Sequence, residues 1–421
     1  VSLVGRRALA ALAGVAVVAA HVVLLGWAGA EVGPPPPTPV PPDGRPSPFP
    51  SVLATPADAL APPALGATAA LLADLDRGQV LEGRAVDRPL PIASLTKIMT
   101  ALLVLDRADL DRVVEVDPRA VFGPRDYGAT STLGLRAGER LRVEDLLYGL
   151  LLGSANDAAE ALAIHVAGDV DRFVALMNRR AQTLGMRRTR FASATGLDDR
   201  GRSTARDLLR LVRRAMSDPR FARIVATRRH RIPGPHGRDR IVQNRNVLLW
   251  LYEGATGVKT GYTAGAGACL VATAERDGRR LVAIVLGDRT EAFSAAAALL
   301  NHGFDGYTER TFVREGEPLG AVDLPTGTVP VVAGASVEGL VPTLRLEEVE
   351  RRLVVTPPGT PPEPGAVVGT VRVEIPGRLL GSAPVVVAAS SAPPPLGGTW
   401  WQRATAAVAR AIAEVVVGFA R

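Results

Sequence analysis

Strand-like sequence flanks a long helical stretch, and that order restricts the fold more than any other feature of the chain. "ATAALLADLDRGQVLEGRAVD", residues 67–87, reads as two strands around the turn Asp76-Arg77-Gly78. Helical periodicity then dominates from Ser94 to about residue 227, in "VEDLLYGLLL", "DAAEALAIHVA", "DRFVALMNRRAQTLG" and "TARDLLRLVRRAM". Asp157 and Glu160 have the spacing of a capping box at the second of these. Strands return in "GACLVATAERDGRRLVAIVLG", where Asp277-Gly278 separates two apolar runs as in a hairpin. "TEAFSAAAALLNHGF" follows as a closing helix. This order argues for an antiparallel sheet backed by helices, with the helical insertion forming a lobe beside it. The cleft between sheet and lobe is the default place for a site.

A chain of 421 residues exceeds one ordinary domain, and its composition shifts mark the pieces. In residues 1–30, Arg6 and Arg7 precede an apolar run from Ala8 to Trp27, broken by His21, and then Ala28–Ala30. This is the pattern of a signal peptide cleaved after Ala30 or of an uncleaved anchor, and both place the remainder outside the cytoplasm. Residues 31–66 form a linker, with ten prolines in the eighteen positions 33–50, an extended spacer of about 3.1 Å per residue. The strand–helix–strand domain spans 67–311, and 312–389 reads as a separate β domain with short alternating runs such as "VGTVRVEIPG". A proline hinge, 390–399, leads to 400–421. On a helix, Arg403, Arg410, Glu414 and Arg421 of that last segment fall within about 40° of one another. So thin a polar stripe, with Trp400 and Trp401 at one end, suits a helix lying on a membrane surface.

Composition narrows the partners. An apolar fraction of 47% with 22% charged residues supports a real core. A net charge of +7 favours anionic surfaces, and an exported chain leaves nucleic acid out. Cys269, the one cysteine, reads as a small buried hydrophobe in a strand. Five scattered histidines and no Cys/His cluster speak against a metal, and no cofactor is expected.

Of 49 basic residues, two are lysines, Lys97 and Lys259. Lysine can lose its proton when desolvated or set beside another cation, whereas arginine effectively cannot. Lys97 lies one helical turn after Ser94 in "PIASLTKIMTALLVLD", so the two share a face. A serine hydroxyl needs a neighbour to accept its proton before it can attack. "GSANDAAE" adds Ser154 and Asn156 at a break between two helices. "TGVKTGYTAGAG" adds Lys259, Thr260 and Gly261 at the start of a strand, followed by small residues that admit a substrate backbone. Each motif is weak alone; three in this order, with both lysines inside them, form a specific signature.

S-x-x-K, a serine–x–asparagine motif and K-T-G together characterise penicillin-binding proteins and class A β-lactamases. From about residue 67 to its end the chain resembles the low-molecular-mass penicillin-binding proteins, the serine-type D-alanyl-D-alanine carboxypeptidases. "GLDDRGRSTARDL", "QNRNVLLW", the β-rich module and the terminal amphipathic helix carry the likeness further. The resemblance implies an α/β (α+β) penicillin-binding/β-lactamase-like transpeptidase fold, with a small C-terminal β domain. It implies that Ser94 becomes acylated by the peptide between two terminal D-alanines, with Lys97 as base. Ser154 and Lys259 would relay protons, and Asn156 would hold the substrate amide. Thr260 and Arg245 would bind the terminal carboxylate. The backbone N–H groups of Ser94 and Tyr262, beside Gly261, would form the oxyanion hole. Peptidoglycan stem peptides are then the substrates, β-lactams the covalent inhibitors, and the membrane surface a partner through the last helix.

Other readings compete. A class A β-lactamase needs a glutamate after the middle motif to activate water, and none lies between Glu160 and Glu253. Ala155, where the lactamases carry aspartate, points the same way. A D,D-endopeptidase of the same family would usually lack the C-terminal module. A vestigial wall-binding protein would have lost the nucleophile or a lysine. The loop "ATRRHRIPGPHGRDR" reads as a solvated hairpin, His165 as a packed helix residue, and no G-x-S-x-G motif supports Ser/His/Asp catalysis.

Overall fold

The computed structural model describes residues 62–123, 130–289, 291–324, 327–356 and 362–389. The expected export segment, nearly all of the proline linker, the hinge and the terminal amphipathic helix lie outside the described residues. The chain divides into two compact units at Gly306–Tyr307.

In the first unit, strands β1 (Ala69–Asp74) and β2 (Val80–Arg84) open the chain, and β3 (Val113–Glu115) pairs with β4 (Arg140–Arg142) at the lobe. A hairpin of β5 (Arg229–Ile232) and β6 (Arg240–Gln243) precedes β7 (Ala255–Thr263), β8 (Gly267–Arg276) and β9 (Arg279–Asp288). The main sheet is antiparallel in the order β2-β1-β9-β8-β7. Its centre joins the two ends of the unit, with Leu71 opposite Ile284. β1 is buried on both faces, hence its unbroken apolar run. Ala69, Leu71 and Ala73 enter the main core with Val282, Ile284 and Leu286, while Leu72 meets the closing helix at Gly303. The β8–β9 turn places Asp277 and Gly278 at φ +50° and +76°, the geometry a two-residue hairpin requires.

The helices are α1 (Lys97–Leu105), α2 (Val143–Leu151), α3 (Asn156–Ala167), α4 (Val170–Thr183), α5 (Ala205–Met216), α6 (Pro219–Ala226), α7 (Leu248–Leu251) and α8 (Ala292–Gly306). Every residue of α1 is buried, which explains its lack of amphipathic alternation. α5 shows the opposite pattern: Leu208, Leu211 and Val212 face inward, and Thr204 caps its start by accepting from Asp207 N–H. Asp157 is not a cap. Ala155 precedes α3 without a side-chain bond, and the Asp157 carboxylate instead accepts from Leu133, Leu135 and Ala158 N–H. His165 is exposed rather than packed, because it lies in the last turn of α3, where the burial of Ala161–Ile164 gives out.

The second unit starts at Tyr307, ahead of Phe312, because β10 (Tyr307–Val313) pairs with β13 (Val337–Pro342). A five-stranded antiparallel sheet, β11-β12-β16-β15-β14, completes it. Its strands are β11 (Pro318–Leu324), β12 (Gly327–Ala333), β14 (Glu350–Val355), β15 (Val367–Ile375) and β16 (Arg378–Val387). Val331, Val371, Val373 and Val385 form its core by inward alternation.

Candidate active site

Ser94 sits on a single 3-10 turn, Ala93–Thr96, that feeds directly into α1. Ala93 has φ +47°, a conformation that costs a β-carbon residue energy and persists only where its surroundings enforce it. The enforcement is visible. A Cβ on Gly196 would lie 2.0 Å from Ala93 carbonyl oxygen, and one on Gly261 would lie 3.0 Å from Ser94 N. The loop before α5 and strand β7 therefore press on the serine turn from two directions, at positions where only glycine fits.

Lys97 is wholly buried, and its Nζ has three neighbours: Ser94 Oγ at 2.9 Å, Asn156 Oδ1 at 2.7 Å and Thr195 carbonyl oxygen at 2.7 Å. Burial lowers its pKa from 10.5 to about 7. The charge of Arg245 adds to that effect, and Asp157 and Glu160 oppose it. Two of the three neighbours can only accept. A neutral amine has two N–H groups, which Asn156 Oδ1 and Thr195 oxygen occupy, so its lone pair is left facing the Ser94 hydroxyl.

Ser154 and Asn156 lie between α2 and α3, where the chain breaks its helix. Ser154 has φ +62° and is buried, yet its hydroxyl bonds to neither lysine among the described residues. Asn156 is fixed at both ends, since its N–H donates to Ser131 carbonyl oxygen at 2.7 Å and its Oδ1 accepts from Lys97.

Lys259, Thr260, Gly261 and Tyr262 occupy the middle and end of β7, not its start. β7 is the sheet edge, and pairs only with β8, with Gly261 opposite Cys269. Lys259 is also fully buried, and its Nζ donates to Thr260 carbonyl oxygen at 2.9 Å. Burial depresses it well below 10.5, and the charges of Lys97 and Arg245 push the same way. Tyr262 is 73% exposed and Thr260 half-buried, so the strand's outer end faces solvent. Cys269 behind it is buried, with its thiol pushed up to about 11 by burial.

Arg245 is exposed in spite of the many atoms around its guanidinium, which places it at the rim. Its neighbours hold it there. Asn244 Nδ2 donates to the carbonyls of Val225 and Thr227, and its Oδ1 accepts from Asn246 N–H. Asn246 Nδ2 in turn donates to Gly257 oxygen at the root of β7. No carboxylate of the described residues pairs with Arg245.

Sequence reasoning missed several supports. Thr195 acts through a backbone oxygen, which no residue type announces. The buried asparagines stood in "QNRN", but nothing in the spacing separates a brace from a ligand. Asp199 accepts from Thr263 Oγ1 at 2.7 Å and pins the end of β7 to the loop before α5.

The family model described as D-alanyl-D-alanine carboxypeptidase, Peptidase_S11, matches residues 56–290. The chain belongs to this family. It is 40% identical over 242 residues to D-alanyl-D-alanine carboxypeptidase DacB2 of Mycobacterium tuberculosis, covering 56% of this chain and 81% of that one. It is 34% identical over 346 residues to DacC of Escherichia coli, covering 77% and 84%. The solved penicillin binding protein 5 from Haemophilus influenzae superposes with a TM-score of 0.65 at 28% identity, over 78% of this chain and 98% of that one. The family is that of serine-type carboxypeptidases, on a penicillin-binding-protein fold that mixes helices with antiparallel sheet.

Proposed function

We propose that the protein removes the terminal D-alanine from peptidoglycan stem pentapeptides through an acyl-enzyme on Ser94. Lys97 Nζ, neutral near pH 7, takes the hydroxyl proton as Ser94 Oγ attacks the carbonyl carbon between the two D-alanines. The oxyanion forms against the backbone N–H groups of Ser94 and Tyr262, at the start of α1 and the edge of β7. The C–N bond then breaks, and the departing amine receives a proton through Ser154 and Lys259. Water hydrolyses the ester and frees Ser94. Asn156, whose Oδ1 is held by Lys97, keeps Nδ2 to donate to a substrate carbonyl. Thr260 and the unpaired Arg245 bind the terminal carboxylate.

The arrangement of Lys97 carries this reading. Both of its N–H groups are spent on fixed acceptors, so the lone pair has one target. A fluorescent penicillin should mark the wild type and leave Ser94→Ala unmarked; equal marking would remove Ser94 from the mechanism. Slow loss of the label would support a peptidase, and rapid loss a β-lactamase.

We also place the protein outside the cytoplasm, held to the membrane surface through 400–421. The basis is the amphipathic pattern of that segment. No helix among the described residues is long and apolar enough to cross a membrane. Fractionation of the full chain against one ending at 399 tests the tether, which predicts release of the shorter form.

A further inference from the structure

A second cluster of cations stands beside the site and has no part in the chemistry above. The turn of the β5–β6 hairpin and the loop 133–136 border an open concavity of about 500 Å³ lined by Gly134, Arg136, Pro235, Arg238 and Arg240.

Its three arginines are not equivalent. Arg240 is fully committed. Nε donates to Leu133 oxygen, NH1 to Glu139 Oε1 and Pro233 oxygen, and NH2 to Glu139 Oε2 and Gly134 oxygen. That uses all five of its N–H groups and neutralises its charge. Arg240 is the brace that ties the hairpin to the loop. Arg136 and Arg238 are exposed, and neither guanidinium meets a carboxylate of the described residues. The nearby Asp239 is taken by Arg231, and Glu139 by Arg240. Two guanidiniums with no carboxylate partner among the described residues therefore face one concave space braced by Arg240.

The frame continues into the active site. Ser131 oxygen accepts from Asn156 N–H, and the Asp157 carboxylate holds Leu133 and Leu135 N–H. Gly134 of the cavity wall lies three positions after Ser131, at most about 11 Å of chain. The far end of β6 leads, through Gln243, to Arg245. One hydrogen-bonded loop and one strand thus connect the concavity to Asn156 and to Arg245.

We propose that Arg136 and Arg238 form an anion subsite for a carboxylate on the acyl portion of the substrate, away from the scissile bond. This rests on the carboxypeptidase reading of Ser94. A local concavity presenting two guanidiniums matches a carboxylate or two on a peptide, whereas a polyphosphate chain would call for an extended basic stripe.

The test uses the full chain and two peptides ending in D-Ala-D-Ala, one with a free carboxylate on its N-terminal part and one with that group amidated. Arg136→Gln/Arg238→Gln should lower kcat/KM for the carboxylate peptide about tenfold at low salt. It should leave the amidated peptide and the rate of penicillin labelling unchanged. Equal loss on both peptides, no loss on either, or a loss confined to binding of polyglycerol phosphate would each overturn the subsite. Unlabelled wild type would instead sink the Ser94 reading, so the two failures are distinguishable. Arg136→Lys/Arg238→Lys should recover part of the preference, which a merely structural effect would not follow.

Discussion

Both lysines are wholly enclosed, yet they stand in different company. Lys97, at the corner of α1 and α3, has three polar neighbours and is lowered to about 7. Lys259, inside β7, donates to one carbonyl, and burial holds it well below 10.5, with Lys97 and Arg245 pushing the same way. Equal burial does not give equal chemistry. The charges of Asp157 and Glu160 partly restore at Lys97 what desolvation removes, leaving an amine that can both take and return a proton near neutral pH. At Lys259 burial and both neighbouring charges act in the same direction.

The largest effect should come from destroying that contrast at Lys97. Lys97→Arg keeps a cation that cannot serve as base and is too bulky for the cavity, so acylation by penicillin should fall by about a thousandfold or more. Stopped-flow labelling would measure it, and a loss below tenfold would mean another base acts. Next, Lys259→Arg should slow acylation by about a hundredfold and lower Tm, because a permanent charge enters a closed site. If it costs Tm without touching acylation, Lys259 is structural and the two lysines differ in kind.

pH separates them further. Acylation should fall about tenfold per pH unit below about 7 as Lys97 gains its proton. The same shift has a stability consequence. Between about 7 and 10.5 the unfolded chain holds one more proton at Lys97 than the folded chain does. Stability from this group therefore rises with pH across that window, and is lost as pH falls through about 7. Urea midpoints of wild type against Lys97→Met, followed over pH, should diverge in that window and stay parallel below it.

The smallest effect concerns the rim. Arg245→Gln should raise KM for a D-Ala-D-Ala peptide about tenfold with Tm unchanged, since the side chain pairs with no described carboxylate. Asn246→Ala should lower Tm by leaving Gly257 oxygen and Leu248 N–H without its bonds. If the two variants behave alike, the asparagine is more than a brace.

Much of this was legible in the residues. The apolar runs of β1, β8 and β9 announced strands, and Asp277-Gly278 announced the β8–β9 turn. The S-x-x-K spacing placed an amine over a hydroxyl. Other features were not legible, for definable reasons. Asp157 and Glu160 matched a capping box, but a buried carboxylate bonds whichever N–H groups the fold brings to it, here those of Leu133 and Leu135. His165 lay in an apolar run, but it falls in the last turn of α3, past the buried stretch Ala161–Ile164. Thr195 is invisible in principle, because its contribution is a main-chain oxygen.

Sequence alone determined which groups are present: a serine a turn from a scarce lysine, a second lysine in a strand, and the apolar periods that hide both. Tertiary structure decided their states. The proton affinity of an amine depends on the dielectric, charges and acceptors around it, and those came from residues 59 and 98 positions away along the chain. Contacts so remote are set by how the sheet closes against the lobe, and no local pattern encodes them.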